Sequence, residues 1–118
     1  LMADNADRWD GYPEDRARLT AQLDKTERSN VFFVCGDIHM NYLGRGSESG
    51  DKPSDLAWEV CCTSGNANPL ASSLSTEQYV FVDNAPHFPI LTFDPGDDSV
   101  HVAFYAKDGS LTFEQTLS

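Results

Sequence analysis

Asn30-Val31-Phe32-Phe33-Val34-Cys35-Gly36-Asp37-Ile38-His39-Met40-Asn41-Tyr42-Leu43 is the stretch around which the rest of the chain arranges itself. Val31 through Cys35 form an unbroken apolar, β-rich run without polar alternation. That is the pattern of a strand buried on both faces, and it predicts a place in the middle of a sheet. Gly36 ends the run, and Asp37 and His39 fall at the strand's C-terminal edge, where open α/β sheets place their ligand sites. In extended backbone, side chains two residues apart project to one side, so the carboxylate and the imidazole are expected to converge and could share one metal ion. The competing reading is a strand-ending turn, with Asp37 accepting hydrogen bonds from nearby backbone N–H groups and His39 merely exposed.

The 118 residues suffice for one small domain with one core, and not for two. With 40% hydrophobic and 23% charged residues the chain falls in the soluble globular class rather than the disordered one. Nineteen acidic against eight basic residues give a net charge of -11, which repels nucleic acid and anionic lipid and excludes a nucleic-acid partner. A phosphate-bearing small substrate is repelled too, unless a bound metal inverts the local field. No apolar run reaches transmembrane length, and the polar start Leu1-Met2-Ala3-Asp4-Asn5-Ala6-Asp7 is not signal-like. Opening on Leu1, the sequence reads as a mature or truncated chain. Its three cysteines, Cys35, Cys61 and Cys62, contain no CxxC pair, so neither a zinc finger nor a dense disulfide framework is indicated. Cys61 and Cys62 must face opposite ways in a strand, leaving at most one able to approach Cys35. Three buried thiols and a single disulfide both remain open.

Trp9-Asp10-Gly11-Tyr12-Pro13 reads as a tight turn, and Pro13 opens a helix. Glu14 and Asp15 suit the positive end of its dipole, Lys25 and Arg28 the far end. Leu19 and Leu23, with Ala17 and Ala21 beside them, make a narrow apolar stripe that is expected to pack on the strand following Thr26–Asn30. Gly44 to Asp55, with three glycines, three serines and a proline, reads as a loop. Ala57 to Thr63 reads as a second strand. An irregular stretch follows over Ser64 to Gln78, with a short helical turn around Leu70 to Leu74. Four further strands are predicted at Tyr79–Val82, Pro89–Phe93, Val100–Ala106 and Leu111–Leu117, the last ones joined as antiparallel hairpins by Asp94-Pro95-Gly96-Asp97-Asp98 and Lys107-Asp108-Gly109-Ser110. Alternation turns Val100, Val102 and Phe104 inward and leaves His101 on the wet face. His87 reads as structural. The fold class is therefore α/β or α+β, one unit over residues 1–118, with a mixed sheet and one main helix.

Two motifs in order, Trp9-Asp10-Gly11-Tyr12-Pro13 with Arg16, and Asn30-Val31-Phe32-Phe33-Val34-Cys35-Gly36-Asp37-Ile38-His39, resemble the C-terminal part of the PhoD-like alkaline phosphatases, a branch of the calcineurin-like metallophosphoesterases. The resemblance implies the C-terminal portion of a metallophosphoesterase-type sandwich and a phosphate monoester or diester as substrate. It implies two divalent or trivalent metal ions, with iron, calcium, zinc and manganese not distinguished. On this pattern Asp37 and His39 are metal ligands, and Trp9, Tyr12 and Arg16 line the substrate pocket. Such metals polarise phosphoryl oxygens and activate a water for in-line attack.

The family's other ligand motifs lie upstream of the Trp-Asp-Gly-Tyr turn, and residues 1–8 offer only Asp4, Asn5 and Asp7 as donors of the right type. The resemblance thus implies a segment that is inactive alone and needs the remainder of the phosphatase domain as its partner. The alternative is a non-catalytic binding or assembly module that retains the C-terminal half of the fold. A thiol or zinc site of Cys35, Cys61 or Cys62 with His39 is a third reading. The family also implies an extracytoplasmic or secreted setting.

Overall fold

The structure, a computed structural model, describes residues 11–26, 30–45, 57–62 and 78–118. Helix α1 (Pro13–Lys25) carries Pro13 in its first turn, Glu14 and Asp15 toward the positive end of its dipole and Lys25 in its last turn. Thr26 Oγ1 donates to the carbonyls of Gln22 and Leu23, each at 3.0 Å, and closes the helix. No residue of α1 is buried, and the main tertiary contacts of the described residues run between strands. Among the described residues α1 makes no extensive contact with the following strand, so the expected packing is slight at most. The stripe of Leu19 and Leu23 is too narrow to commit a helix to a sheet face, and both leucines stay half-buried.

The first sheet holds β1 (Val31–Cys35), β2 (Asn41–Arg45), β3 (Ala57–Cys61) and β4 (Tyr79–Asp83), in spatial order β1-β3-β2-β4. β1 and β3 run parallel, with Val31 opposite Ala57 and Cys35 opposite Cys61. β2 is antiparallel to both of its neighbours, so the sheet is mixed. The second sheet is an antiparallel meander of β5 (His87–Asp94), β6 (Ser99–Ala106) and β7 (Leu111–Leu117). Its two hairpins turn where the Pro, Gly and Asp clusters predict. Among the described residues the architecture is α+β, with a mixed sheet, one helix and antiparallel hairpin strands, as expected.

Three expectations are corrected. β1 is not central: among the described residues it ends the four-strand order, and Val34 is 68% exposed. An apolar run reports a preference for cover without saying which neighbour provides it. Phe32 does reach the core between the sheets. Second, Gly44 and Arg45 belong to β2 and not to a loop. A Cβ at Gly44 would lie 2.5 Å from Cδ1 of Tyr79, so the glycine is there to let that ring lie against the strand. Third, β3 ends at Cys61. Arg28, residues 46–56 and the turn expected around Leu70–Leu74 lie outside the described residues.

Leu43 and Val60 from the first sheet meet Val102, Phe104 and Leu117 from the second in one buried core. Phe81 bridges the layers, its ring 4.6 Å from Phe104 and stacked at 4.7 Å on Phe113. Val102 and Phe104 point inward as alternation predicts. His101 on the opposite face bonds the Thr116 hydroxyl at 3.2 Å and lies 3.4 Å from Glu114.

Candidate metal-ligand site

β1 and β2 flank β3 on opposite sides. The chain leaving β1 must therefore cross the C-terminal end of β3, a span of two strand spacings or about 10 Å. Gly36 to Met40 make that crossing. Cys62 N donates to Cys35 O at 3.2 Å. A Cβ on Gly36 would lie 3.2 Å from Cys62 O, so the glycine permits the close approach. Ile38 N then donates to Gly36 O at 2.9 Å, which closes a three-residue γ-turn with Asp37 at its centre, φ 72°. This positive-φ form is the rare, strained one. His39 follows at φ 57°, in the left-handed region.

Asp37 and His39 are thus not in extended backbone, and the period-two argument for their convergence does not apply. The turn sets their directions instead. Both are exposed. Asp83, Asp94 and Asp108 behave differently, each accepting from the backbone N–H two residues on, at 2.8, 2.8 and 3.0 Å. Asp37 makes no such bond. Among the described residues neither its side chain nor that of His39 has a partner.

The neighbouring turn is held firmly. Asn41, fully buried and opposite Asp83 in the β2–β4 register, donates through Nδ2 to Ala85 O at 2.7 Å. His87, 5% exposed, shares that carbonyl through Nδ1 at 2.8 Å. A carbonyl only accepts, so Nδ1 carries a proton there, while Nε2 lies 3.1 Å from the Thr112 hydroxyl and 3.7 Å from an Asp83 carboxylate oxygen. His87 is structural, as read from the sequence. Asn41 was not singled out there; its signal is a buried-type position two residues after His39 that carries an amide.

Beneath the crossing lies a polar cluster that the sequence left unassembled. Tyr42 Oη donates to Glu59 Oε1 at 2.8 Å, and Cys35 Sγ reaches the same oxygen at 3.1 Å. Cys35 also lies 3.3 Å from Tyr42 Oη and is hydrogen-bonded to Cys61. The bond to Cys61, burial and the adjacent Glu59 hold the Cys35 thiol far above its ordinary range, and burial followed by the Glu59 charge does the same to Tyr42. All three cysteines are free. Cys61 is the one of the vicinal pair that meets Cys35, and Cys62 Sγ turns toward His87 O at 3.8 Å.

Of the remaining sequence-predicted residues, Tyr12 precedes α1 at 54% exposure and accepts from Arg16 N at 2.9 Å. Arg16 is half-buried. Neither is bonded to Asp37 or His39. Trp9, Asp4, Asn5 and Asp7 lie outside the described residues. The described residues contain no group of three or more His, Cys, Asp or Glu able to hold a metal, so the thiol-zinc arrangement with His39 does not form among them.

Residues 2–102 match the sequence profile of the PhoD-like phosphatases, a span that includes both motifs and ends within β6. The chain belongs to this family. No curated protein matches it. PhoD-like phosphatases are metal-dependent as a class, and the donor chemistry at the edge of this PhoD-like sheet suits that. An exposed carboxylate oxygen and an imidazole nitrogen, neither committed elsewhere among the described residues, fit part of a ligand set for a divalent or trivalent ion. No described helix is long and apolar enough to cross a membrane.

Proposed function

We propose that this chain supplies Asp37 and His39 as metal ligands to a metal-dependent phosphoric monoester or diester hydrolase, the other ligands coming from the rest of the phosphatase domain. The supporting observation is the γ-turn, where a strained backbone presents two donors that bond to nothing else among the described residues. Such strain costs about 1–3 kcal/mol per residue and collects at ligand clamps. A metal held there supplies Lewis acidity toward the phosphoryl oxygens. The chain's own residues act more narrowly. Asp37 offers a hard oxygen and His39 a neutral nitrogen; Gly36 keeps the crossing close to Cys62. Trp9 and Tyr12 would shape the substrate pocket, and Arg16 would provide a cation for the phosphate in a chain of net charge -11.

Two donors do not complete a catalytic metal site, so the chain alone binds metal weakly and does not turn over. Titration calorimetry with Mn2+ and Zn2+ tests this. Wild type should bind, while Asp37→Ala and His39→Ala lose affinity at least tenfold; equal affinity in all three would sink the assignment. A folded chain that binds neither ion favours the non-catalytic module, a reading supported by the lack of a third donor among the described residues. Hydrolysis of p-nitrophenyl phosphate by the wild-type chain that survives both substitutions would contradict both readings.

A further inference from the structure

We propose that Cys35 and Cys61 form a redox-active dithiol, which a hydroperoxide converts into an intramolecular disulfide tying the C-terminal ends of β1 and β3 together. The proposal is independent of the phosphatase reading. Three observations carry it. The two residues are register partners in the parallel β1–β3 pair, so both side chains project from one face. Their Cα atoms are one strand spacing apart, about 4.8 Å, within the span of about 4.4–6.8 Å that a disulfide bridges. Cys35 packs against the small buried cluster that contains Cys61, and Cys61 is a hydrogen-bonding neighbour of its thiol.

The two thiols are unequal in a way that orders the steps. Cys35 is partly exposed at the end of β1, the last strand of its sheet among the described residues, whereas Cys61 is fully buried. Cys35 therefore meets the oxidant. Its S–H proton passes to Glu59 Oε1, 3.1 Å away, as the sulfur attacks hydrogen peroxide and the O–O bond breaks. The product is a sulfenic acid on Cys35, and the departing oxygen leaves as water once it takes up a proton. Cys61 sulfur then attacks Cys35 sulfur, the S–O bond breaks and a second water leaves with the Cys61 proton. In sum, two thiols and one hydrogen peroxide give one disulfide and two waters. The sulfurs are oxidised by two electrons and the peroxide is reduced by two. Cys62 takes no part, because its side chain points toward His87.

Burial makes the first step slow, so the pair responds to sustained oxidant. The test uses the full wild-type chain in native buffer with a metal chelator, exposed to hydrogen peroxide until methionine oxidation shows that oxidant is in excess. Free thiols are alkylated and the chain is digested for mass spectrometry, with fragmentation between Cys61 and Cys62. The expected result is a Cys35–Cys61 bridge within one chain, Cys62 alkylated, and full reversal by dithiothreitol. Cys62→Ser should bridge at the same rate, which keeps the test open if a Cys61 variant folds poorly. A bridge to Cys62, a dimer through Cys35, a Cys35 sulfinic acid without a bridge, or three intact thiols would each overturn the proposal.

Discussion

The crossing at Gly36–His39 and the hairpin turn at Lys107–Ser110 draw on the same residue types and use them in opposite ways. In the hairpin, Gly109 takes the positive φ of 86°, and Asp108 accepts from the Ser110 backbone and hydroxyl at 3.0 and 2.7 Å. Glycine absorbs the geometry and aspartate satisfies the backbone, so the turn is complete within itself. At the crossing, Gly36 is used where the chain passes Cys62, and the positive φ values fall on Asp37 and His39. Aspartate satisfies nothing nearby. The Lys107–Ser110 turn puts its positive φ on glycine; the β5–β6 hairpin puts one on Asp98, φ 48°, and the crossing puts two in close succession on Asp37 and His39 while leaving both side chains outward.

The comparison can be broken in several places. The largest effect is expected at Asn41, which anchors the Asp83–His87 turn beside the crossing: Asn41→Ala should cost about 2–3 kcal/mol in urea unfolding, from lost buried hydrogen bonds and a small cavity. A smaller loss would mean that the neighbouring turn stands without it. Next come the ligand substitutions, where Asp37→Ala or His39→Ala should weaken Mn2+ binding at least tenfold, about 1.4 kcal/mol, with unfolding midpoints unchanged.

Asp37→Gly and His39→Gly sharpen the contrast, because relief of positive-φ strain should raise stability by about 1 kcal/mol while metal binding falls. Destabilisation by glycine would show that these side chains are structural. Asp94→Ala, the counterpart at a self-contained turn, should lower stability by about 0.5–1 kcal/mol through loss of its bond to Gly96 N and leave metal binding alone.

The smallest effect concerns acid. Hydrogen bonds from the Ser110 hydroxyl and backbone hold the Asp108 carboxyl below its ordinary value of 3.8. Because the folded state favours the charged form, this contribution is present above the unfolded value and disappears as pH falls through the folded one. Asp108→Asn should therefore flatten the dependence of melting temperature on pH below about pH 4, and an unchanged slope would remove the hydrogen bonds from the account.

Much of this was legible from the residues. The hairpins announced themselves because turn chemistry is local: Asp94 to Asp98 and Lys107 to Ser110 carry their own caps and glycines. Pro13 and the acidic first turn fixed where α1 begins. β2 was missed because Gly44 resembles a loop residue until Tyr79 is placed over it. The central position expected of β1 failed for a related reason, since hydrophobicity records what a strand tolerates and not what lies beside it. Asp37 and His39 stand out in the sequence through a motif, but the extended backbone assumed for them is replaced by a turn with positive φ at both.

By itself the sequence determined most of the strands and the hairpin turns and singled out Asp37 and His39 as candidate ligands, because periodicity, turn residues and a Gly-Asp-x-His motif are written locally. Only the tertiary structure decided the order β1-β3-β2-β4. From that order follow the crossing over β3, the strained γ-turn at Asp37 and the meeting of Cys35 with Cys61. Each of these depends on which strand lies beside which, and pairing between segments distant in the chain is set by packing that no local pattern encodes.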